Sequence, residues 1–310
     1  MILVAVPAIA LALVSVAAFF GRYIWWLDVL ANFRMQYLVV LLVLGLLLVF
    51  SRYRKIAYGI LFVAGINLFL VAPLFLGGGG GSEINAPTIR VMSFNLLSQN
   101  QEYAEVVAFI EANQPDVVLL HEASLPWEAA MESADLGYEV VRARSDDLIF
   151  GTLVLLRHPS RVTSFGFAET DPRALEISYR ADGWDRNVLM LSSHPLSPAN
   201  AERAGLRDAQ LGFAADWASR QDGPYLVVGD FNATPWSWPF RRLIEKGRLS
   251  NSQNGFGLQA SFAANSNWLF RVPIDHLLHS ESMRVRNRWL GPPMGSDHFP
   301  LIVDLEFVAG

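Results

Sequence analysis

The sequence predicts an α/β (α+β) domain built as a four-layer sandwich, in which two mixed β-sheets pack face to face between helices, preceded by three transmembrane helices. Two observations indicate this architecture. Beyond residue 87, short apolar runs typical of buried strands outnumber the helical patterns, which favours packed sheets with the helices outside. Before residue 77, three long apolar runs carry no charged side chain.

The three uncharged runs occupy residues 2–20, 35–51 and 56–76. A membrane-spanning helix needs about 17–25 predominantly apolar residues, so the first and third runs are long enough and the second lies at the lower limit. A buried or re-entrant segment is the alternative for the second run. The first run lacks a basic leading segment and is too long for the apolar core of a signal peptide, so we interpret it as a retained helix.

Basic residues between the runs predict the orientation in the membrane. Arg52, Arg54 and Lys55 stand together between the second and third runs. Because basic loops stay in the cytoplasm, the amino terminus should be cytoplasmic and everything after residue 76 should lie outside. We therefore expect an integral protein of the inner or plasma membrane with an extracytoplasmic domain.

The chain divides into a membrane segment at 1–76, a glycine-rich linker at 77–87 and a folded domain at 88–310. The linker begins with GGGGGS, which has no preferred conformation, so we expect the third helix to end there and a flexible tether to begin. Cysteine is absent from the sequence. A domain of this size can bury enough apolar surface to fold without disulfides.

The part of the chain after the membrane segment is acidic. Of 24 basic and 29 acidic residues, five basic and one acidic precede residue 83, which leaves 19 and 28 and a formal charge of −9. A protein that binds long nucleic acids usually presents a basic surface, so the acidic charge disfavours nucleic acid as a partner.

The sequence after residue 87 predicts three helices and eight strands. Helical spacing of apolar residues marks 103–114, 200–220 and 238–247. The predicted strands are, in order, TIRVMSFNLL, QPDVVLLHEAS, LIFGTLVLLRHP, ALEISYR, NVLMLSSHP, PYLVVGDFN, PIDHLLHS and DHFPLIVDLEF.

Polar side chains recur at the ends of these strands. Asp230 and Asn232 follow the apolar run 226–228, and side chains two residues apart on extended backbone point the same way. A turn is the alternative, since Asp and Asn are common turn residues. The full set of such residues is Asn95, Glu122, His194, Asp230, Asn232, Asp275, Asp297 and His298. Because these types bind metals and move protons, the set predicts a shared cleft.

Seven motifs occur in the order found in one large enzyme family. They are SFNLL, PDVVLLHE, GTLVLLRHP, SSHPLSP, GDFNATP, IDHLL and GSDHFP. Together they resemble the endonuclease/exonuclease/phosphatase superfamily over residues 88–306. The resemblance implies a divalent metal, Mg²⁺ or Mn²⁺, held by Asn95 and Glu122 with Asp297 close to it.

The resemblance also implies the catalytic groups. His298 matches the catalytic histidine and Asp275 the acid that orients it, while Asp230 and Asn232 match residues that flank the scissile phosphate. His194 matches a second histidine of the deoxyribonuclease branch. That branch has a glutamate partner for this histidine, which FGTLVLLRHP lacks. A structural role for His194 therefore stays open.

These residue types suit phosphoester hydrolysis. Mg²⁺ prefers oxygen ligands and neutralises charge on a phosphate. A histidine backed by a carboxylate can take a proton from water. We therefore expect a membrane-tethered, metal-dependent phosphoesterase that hydrolyses a phospholipid head group or another small phosphodiester.

Two other functions remain open. The runner-up is a nuclease acting on DNA or RNA, because Arg241, Arg242 and Arg248 follow the GDFNATP motif and could hold a nucleic-acid backbone. The acidic charge, and Leu97 where the branch acting on abasic DNA has an acid, argue against it. The second alternative is a non-catalytic, membrane-anchored binding module with a decayed site. The sequence indicates no protein partner.

The sequence disfavours two other reaction classes, and it suggests structural roles for several other residues. Without Cys or an H-E-x-x-H motif a zinc site is disfavoured, and without G-x-S-x-G so is a serine hydrolase. His276 and His279 are interpreted as strand-end residues. Trp236 and Trp238 either line the cleft or belong to the packing.

Overall fold

The structure is a computed structural model that describes residues 1–77, 87–143, 151–165 and 174–308. Apart from Gly77, the predicted flexible tether GGGGGS lies outside the described residues. The first three residues of the predicted strand LIFGTLVLLRHP lie outside them as well.

The first 75 residues form a bundle of apolar helices. Three stretches, Ile2–Phe20, Trp25–Val49 and Arg54–Phe75, are long and apolar enough to cross a membrane. They contain the helices α1 (Ile2–Ala17), α2 (Trp25–Leu30), α3 (Arg34–Val49) and α4 (Arg54–Val71), extended by short 3-10 turns. The second stretch is longer than its uncharged run because α2 and a 3-10 turn precede α3. Helix α3 itself has 16 residues, so the choice between a full span and the re-entrant alternative stays open.

Four helices flank the domain that follows. They are α5 (Tyr103–Asn113), α6 (Leu125–Ser133), α7 (Ala201–Ser219) and α8 (Trp238–Gly247). The segments predicted at 103–114, 200–220 and 238–247 correspond to α5, α7 and α8. Asn200 caps α7 by accepting a hydrogen bond from the backbone N–H of Arg203 at 2.9 Å, which explains where this helix begins.

Twelve strands are found among the described residues. They are β1 (Thr88–Asn95), β2 (Val117–His121), β3 (Glu139–Ala143), β4 (Thr152–Leu156), β5 (Arg161–Phe165), β6 (Ala174–Tyr179), β7 (Val188–Ser192), β8 (Tyr225–Asp230), β9 (Ser250–Asn251), β10 (Asp275–His279), β11 (Met283–Leu290) and β12 (Leu301–Phe307).

The strands form two mixed six-stranded sheets. One has the order β11-β12-β1-β2-β4-β3 and the other β5-β6-β7-β8-β10-β9. Their inner faces share one apolar core, to which Val91 and Leu119 contribute from one sheet and Met190 and Val228 from the other. The helices cover the outer faces, so the predicted four-layer fold is confirmed.

Strand pairing brings the polar strand ends together. β1 runs parallel to β2, with Asn95 opposite His121, so Glu122 follows directly beside Asn95. In the other sheet β10 runs antiparallel to β8, with Asp275 opposite Asp230. Residues directly opposite on neighbouring strands lie on the same face of the sheet. The two sheets therefore present their acidic residues at one end of the sandwich.

The membrane segment contacts the folded domain directly. Trp236 donates from its indole N–H to the carbonyl oxygen of Leu70 at 3.0 Å. The hydroxyl of Thr234 donates to Asn32 at 3.0 Å. The backbone N–H of Gly257 donates to the carbonyl oxygen of Leu74 at 2.7 Å. Direct contacts therefore join the two parts in addition to the chain between them.

A buried ion pair strengthens this junction. Asp28 of α2 accepts a hydrogen bond from Arg207 of α7 at 2.8 Å, and both side chains are almost fully buried. Asp28 also accepts from the backbone N–H of Trp238, the first residue of α8, at 2.6 Å. A carboxylate at a helix N-terminus satisfies an unpaired donor and complements the helix dipole. The carboxylate of Asp28 thus joins α2 to both α7 and α8.

Candidate active site

A cleft of about 230 Å³ opens at the end of the sandwich where the polar strand ends meet. It is lined by Asn95, Leu97, Glu122, His194, Pro195, Leu196, Ser197, Arg203, Asp230, Asn232, Phe262, Asp297 and His298. Of the eight residues that the sequence nominated, seven are in this lining. Asp275 is the eighth and lies behind His298, out of direct contact with the cleft.

Two carboxylates converge on the side chain of Asn95. Its Nδ2 donates to Oε1 of Glu122 at 3.0 Å and to Oδ2 of Asp230 at 3.1 Å. Its Oδ1 accepts from the backbone N–H of Leu97 at 3.1 Å, which fixes the orientation of the amide. Glu122 also accepts from the backbone N–H of Ser98 at 3.2 Å. The two carboxylates therefore meet at the amide N–H of Asn95, while the oxygen of that amide is directed toward Leu97. The predicted metal contact of Asn95 stays a prediction.

Unusual backbone conformations place these groups. Glu122 has φ 55° and Asn232 has φ 48°, in the left-handed region that few non-glycine residues adopt. Gly229 has φ 143°, and a Cβ there would collide with the carbonyl oxygen of Ser193. Strained residues of this kind persist where the surrounding structure holds them, and they concentrate at functional sites.

His298 and Asp275 form a buried pair on one side of the cleft. Nδ1 of His298 lies 2.8 Å from Oδ2 of Asp275. Nε2 of His298 points toward Asp230, whose Oδ2 is 3.7 Å away. Because the carboxylate of Asp275 accepts the proton on Nδ1, the imidazole is fixed in one orientation with Nε2 facing the cleft.

The charges in the cleft shift the pKa values of these groups. Burial lowers the pKa of His298, but the carboxylates of Asp275 and Asp230 outweigh it and raise the pKa to about 10. Burial favours a higher pKa for Asp230, yet His298 and His194 hold that pKa far below its usual range. Asp275 and Asp230 together therefore favour the protonated form of His298, and a cation beside Asp230 would weaken that effect.

His194 lies on the opposite side of the same carboxylates. Its Nε2 is 3.5 Å from Oδ2 of Asp230 and 3.8 Å from Oε1 of Glu122. Burial lowers its pKa, and the contact with Asp230 more than offsets this, so the pKa is raised. Nδ1 of His194 is buried and has no hydrogen-bond partner among the described residues. The sequence left open whether His194 has a structural role or contacts the substrate. Its position in the lining of the cleft suits contact with substrate.

The histidine before Glu122 has a structural position. His121 is fully buried, and its ring lies 5.3 Å from that of His194. Its nitrogen atoms approach the hydroxyls of Ser93 and Thr152 at 3.5 Å each. Burial, together with the charge of His194, lowers the pKa of His121 to about 3. His121 is therefore neutral and packs against the ring of His194.

Two clusters of side chains could offer atoms to a metal ion. Asp230, Asp275 and His298 offer atoms that all lie within 4.8 Å of one another. The short bond between His298 and Asp275 already occupies that group as an acid–base pair. Glu122 and Asp230, in contrast, direct carboxylate oxygens toward the cleft beside the amide of Asn95. Hard oxygen donors in this arrangement fit Mg²⁺ or Mn²⁺.

Asp297 is a less central part of this arrangement. Its side chain lines the cleft and is half-buried. Burial raises its pKa in spite of the neighbouring imidazole of His298. The predicted metal contribution of Asp297 stays a prediction.

Four supporting residues were missed by the sequence analysis. Ser296 donates to the carbonyl oxygen of Asn95 at 2.7 Å and accepts from the backbone N–H of His298 at 3.0 Å. Ser261 accepts from the backbone N–H of Asp275 at 3.0 Å. The ring of Phe262 lies 4.9 Å from that of His298. Arg203 belongs to the lining of the cleft. Serine and phenylalanine carry no sequence signal for such roles, because the contacts join distant segments.

Several candidates from the sequence lie outside the cleft. Trp236 is buried at the junction with the membrane segment, and Trp238 lies beneath Arg22, whose guanidinium is 4.9 Å from its ring. Their contacts therefore favour the packing interpretation. His276 and His279 are buried on β10, as expected for strand residues.

The arginines after GDFNATP do not line the cleft either. Arg241 lines a different cavity, and Arg248 donates to the carbonyl oxygen of Ser219 at 2.9 Å. The proposal that these side chains hold a nucleic-acid backbone at the cleft therefore loses its structural support, because none of them belongs to its described lining.

Residues 92–298 match the sequence model of the Endonuclease/Exonuclease/phosphatase family. No curated protein matches the chain. Solved structures show the same fold at low identity. An endonuclease/exonuclease/phosphatase family protein from Bacteroides thetaiotaomicron is 18% identical with a TM-score of 0.57, over 73% of this chain and 100% of that chain.

Two further structures carry more specific names. D. rerio TDP2 complexed with single strand DNA product is 15% identical with a TM-score of 0.57, over 71% of this chain and 99% of that chain. The human Nocturnin catalytic domain with bound sulfate anion is 20% identical with a TM-score of 0.53, over 72% of this chain and 96% of that chain. At these identities the likeness establishes the fold.

Proposed function

Because this chain belongs to the Endonuclease/Exonuclease/phosphatase family, and is therefore a metal-dependent hydrolase of ester bonds, we propose that it hydrolyses a phosphodiester in phospholipid head groups at the membrane surface. The proposed cofactor is Mg²⁺ or Mn²⁺. The proposed location is the inner or plasma membrane, with the catalytic domain on the extracytoplasmic side.

The positions of the cleft residues support the following roles for them. The sequence assigned Asn95, Glu122 and Asp297 to the metal ion and Asp230 to the substrate. Here Glu122 and Asp230 would hold the metal ion with Asp297 close by, because Asn95 directs its amide N–H, and not its oxygen, toward both carboxylates. When bound, a divalent ion neutralises charge on the phosphate and activates water.

The remaining groups would act on the substrate itself. Asp230 and Asn232 would bracket the phosphate and the attacking water. His298, held by Asp275 at 2.8 Å, would exchange a proton with the reacting oxygen atoms through Nε2. His194 and Arg203 would contact the phosphate oxygens, since cationic groups stabilise the charge that develops in the transition state.

The choice of a lipid substrate rests on one apolar turn beside the cleft. Trp268, Leu269 and Phe270 form a 3-10 turn in which Trp268 is 68% and Phe270 is 63% exposed. Gln36, near the start of α3, donates from its side chain to the carbonyl oxygen of Leu269 at 2.9 Å. The turn therefore lies beside the second candidate span, where exposed Trp and Phe side chains suit the membrane interface.

The same turn is connected to the catalytic histidine. Val272, two residues beyond Phe270, pairs with Phe262 in a β-bridge, and Phe262 pairs with His298 in another. A turn that enters the bilayer would therefore hold the rim of the cleft at the level of the lipid head groups. A substrate already in the membrane would reach the cleft without leaving it.

The charge of the domain supports the same choice. A formal charge of −9 after residue 82 repels long polyanions such as DNA. Nuclease activity nevertheless remains the competing proposal, since the TDP2 structure holds a single strand DNA product and Arg203 is available at the cleft.

The role of the apolar turn can be tested in the full-length protein reconstituted into mixed phospholipid vesicles with Mg²⁺. The double change Trp268→Ser and Phe270→Ser should lower hydrolysis of the vesicle lipid by about tenfold, because the interfacial contact is lost. Turnover of a soluble chromogenic phosphodiester should stay unchanged, because neither side chain lines the cleft.

A matched control is Leu125→Ser, which changes an exposed apolar side chain on α6 that makes no contact with the membrane segment among those described. It should affect neither substrate. Equal loss of both activities in the double variant, or no loss of either, would contradict the lipid assignment and leave the hydrolase assignment standing.

A further inference from the structure

A second and larger cavity, of about 620 Å³, lies where the membrane helices meet the catalytic domain. Phe19, Arg34, Phe69 and Leu76 line it from the helices, and Trp236 and Arg241 line it from the domain. It shares no described lining residue with the catalytic cleft. Its volume falls in the usual range of small-molecule sites.

Arg34 brings a buried positive charge to this cavity. It is the first residue of α3 and is almost fully buried within the second candidate span. Its guanidinium donates to the carbonyl oxygen of Ser15 at 2.8 Å and approaches the side chains of Ser15 and Asn67. All three partners are neutral, so they solvate the charge without compensating it. A buried charge without a counter-charge is costly, which favours an anionic partner beside it.

Arg241 adds a second guanidinium from the other side of the junction. It lies on the first turns of α8, close to Trp236. Among the described residues that line the cavity there is no Asp or Glu. Two cations at one cavity without an acid repel each other and favour a bound anion. Guanidinium groups bind phosphate oxygens in a bidentate way.

The remaining wall is apolar and continuous with the outer surface of the helices. Phe69 is 79% exposed and Leu76 is 66% exposed, and both belong to the end of the third span or the residue after it. In a membrane these side chains would contact lipid chains. A ligand of the cavity would therefore combine an anionic group near the arginines with an apolar chain along Phe69 and Leu76.

We propose that this cavity binds an anionic phospholipid, with its phosphate between Arg34 and Arg241 and an acyl chain along the apolar wall. The bound lipid would join the membrane helices to the catalytic domain. Trp236, which lines the cavity, is four residues from Asn232 in the cleft. This site is separate from the proposed reaction, because the lipid is bound here and not hydrolysed.

The site can be tested with full-length protein in mild detergent and excess chelator, so that metal-dependent hydrolysis cannot consume the lipid. Phosphatidylglycerol and phosphatidylcholine are added separately, bound lipid is measured by native mass spectrometry, and melting temperature is followed. Phosphatidylglycerol should remain bound and raise the melting temperature, because a ligand that binds only the folded state stabilises it. Phosphatidylcholine should do so far less.

Two arginines on the same helix provide a matched comparison. Arg241→Gln should weaken phosphatidylglycerol binding by about tenfold or more, since a charged hydrogen-bond donor is lost. Arg242→Gln should leave it unchanged, because the adjacent Arg242 does not line the cavity. Arg34→Gln should weaken binding like Arg241→Gln. If Arg34→Gln fails to fold, the comparison of Arg241→Gln with Arg242→Gln decides.

A further arm separates a lipid site from a site for free phosphate. Glycerol phosphate at the same concentration should bind at least about tenfold more weakly than phosphatidylglycerol, because it lacks the chains that cover the apolar wall. Equal binding of the two lipids, equal binding of glycerol phosphate, or identical behaviour of the Arg241 and Arg242 variants would each overturn the proposal. None of these outcomes depends on hydrolytic activity.

Discussion

Asp28 of the membrane segment and Arg207 of the catalytic domain form an ion pair of 2.8 Å in which both side chains are buried. Arg207 also donates to the backbone carbonyl oxygen of Asn232 at 3.2 Å. A continuous set of contacts therefore leads from α2 to the candidate active site. The amino-terminal helices therefore contribute to the architecture around the candidate active site.

The first prediction concerns this pair. Asp28→Asn should lower the free energy of unfolding by about 3 kcal/mol, because it leaves Arg207 buried without its main counter-charge. Asp208, which also contacts Arg207 at 2.8 Å, is 43% exposed, so Asp208→Asn should cost at most about 1 kcal/mol. Melting temperatures of the two variants in detergent compare them directly. Equal and small shifts would show that the buried pair contributes nothing to stability.

The second prediction concerns the cleft. Glu122→Gln, Asp230→Asn and His298→Ala should each lower kcat by about 100-fold or more, since positioned acid–base groups alone contribute that much. Asp275→Asn should also lower kcat, because it removes the carboxylate that orients His298. Asp182→Asn changes a carboxylate that is 89% exposed and should have no effect. Wild-type turnover in the three cleft variants would refute the assignment of this site.

The third prediction concerns stability at acid pH. His276 is buried beside the rings of Phe231 and Phe240. Burial lowers its pKa to about 3 in spite of its hydrogen bond to the carbonyl oxygen of Ala233, and nearby Arg288 acts in the same direction as burial. Between pH 3 and the usual histidine pKa near 6.5, the unfolded chain binds a proton that the folded protein does not. The folded protein therefore loses stability as pH falls through this range.

His276→Gln should remove this loss. The stability advantage of wild type over the variant should shrink by about 1.4 kcal/mol for each pH unit between about pH 6 and 4, as judged from unfolding at several pH values. Parallel pH profiles for the two proteins would show that His276 does not titrate in this way.

The fourth prediction concerns membrane orientation. Residues 28–36 and 70–74 both contact the catalytic domain, which places these two ends of the helices on the same side as the domain. The basic turn at 52–55 joins α3 to α4 at their other ends. Reporter fusions after residue 53 and after residue 90 should therefore report opposite sides, with the first in the cytoplasm. A same-side result would contradict the three-span topology.

Much of the site could be predicted from the sequence because its residues stand directly at the ends of buried strands. The apolar run before Asp230 defines β8, and Gly229 and Asn232 mark the sharp change of direction after it. The same pattern located Asn95 and Glu122. Motif order then supplied the pairing of His298 with Asp275, which the structure places 2.8 Å apart.

Other elements carried weaker local signals. β5 and β11 have exposed and half-buried residues along much of their length, so they lack the continuous apolar runs that revealed the central strands. α6 is short and begins with a proline in its first turn. These elements are fixed by pairing and packing with distant segments, which a local pattern does not report.

The junction was invisible in the sequence for the same reason. Asp28 and Arg207 are 179 residues apart, and each alone resembles an ordinary loop or helix charge. Trp236 appeared equally suited to the cleft and to packing, and its hydrogen bond to Leu70 lies across the junction. Contacts between the amino-terminal helices and the domain depend on how their surfaces fit together. That fit leaves no periodic pattern in the sequence.

The proposed activity is tested most directly by one side-by-side assay. Equal amounts of full-length enzyme in mixed phospholipid vesicles, with Mg²⁺ or with chelator, are given either the vesicle lipid alone or added plasmid DNA, at about 0.05 and 0.2 M salt. We predict metal-dependent release of phosphorylated head groups or diacylglycerol, abolished by chelator, with the plasmid left intact. Rapid nicking of the plasmid that falls steeply with salt, beside unchanged lipid, would contradict a phospholipid substrate and identify a nuclease.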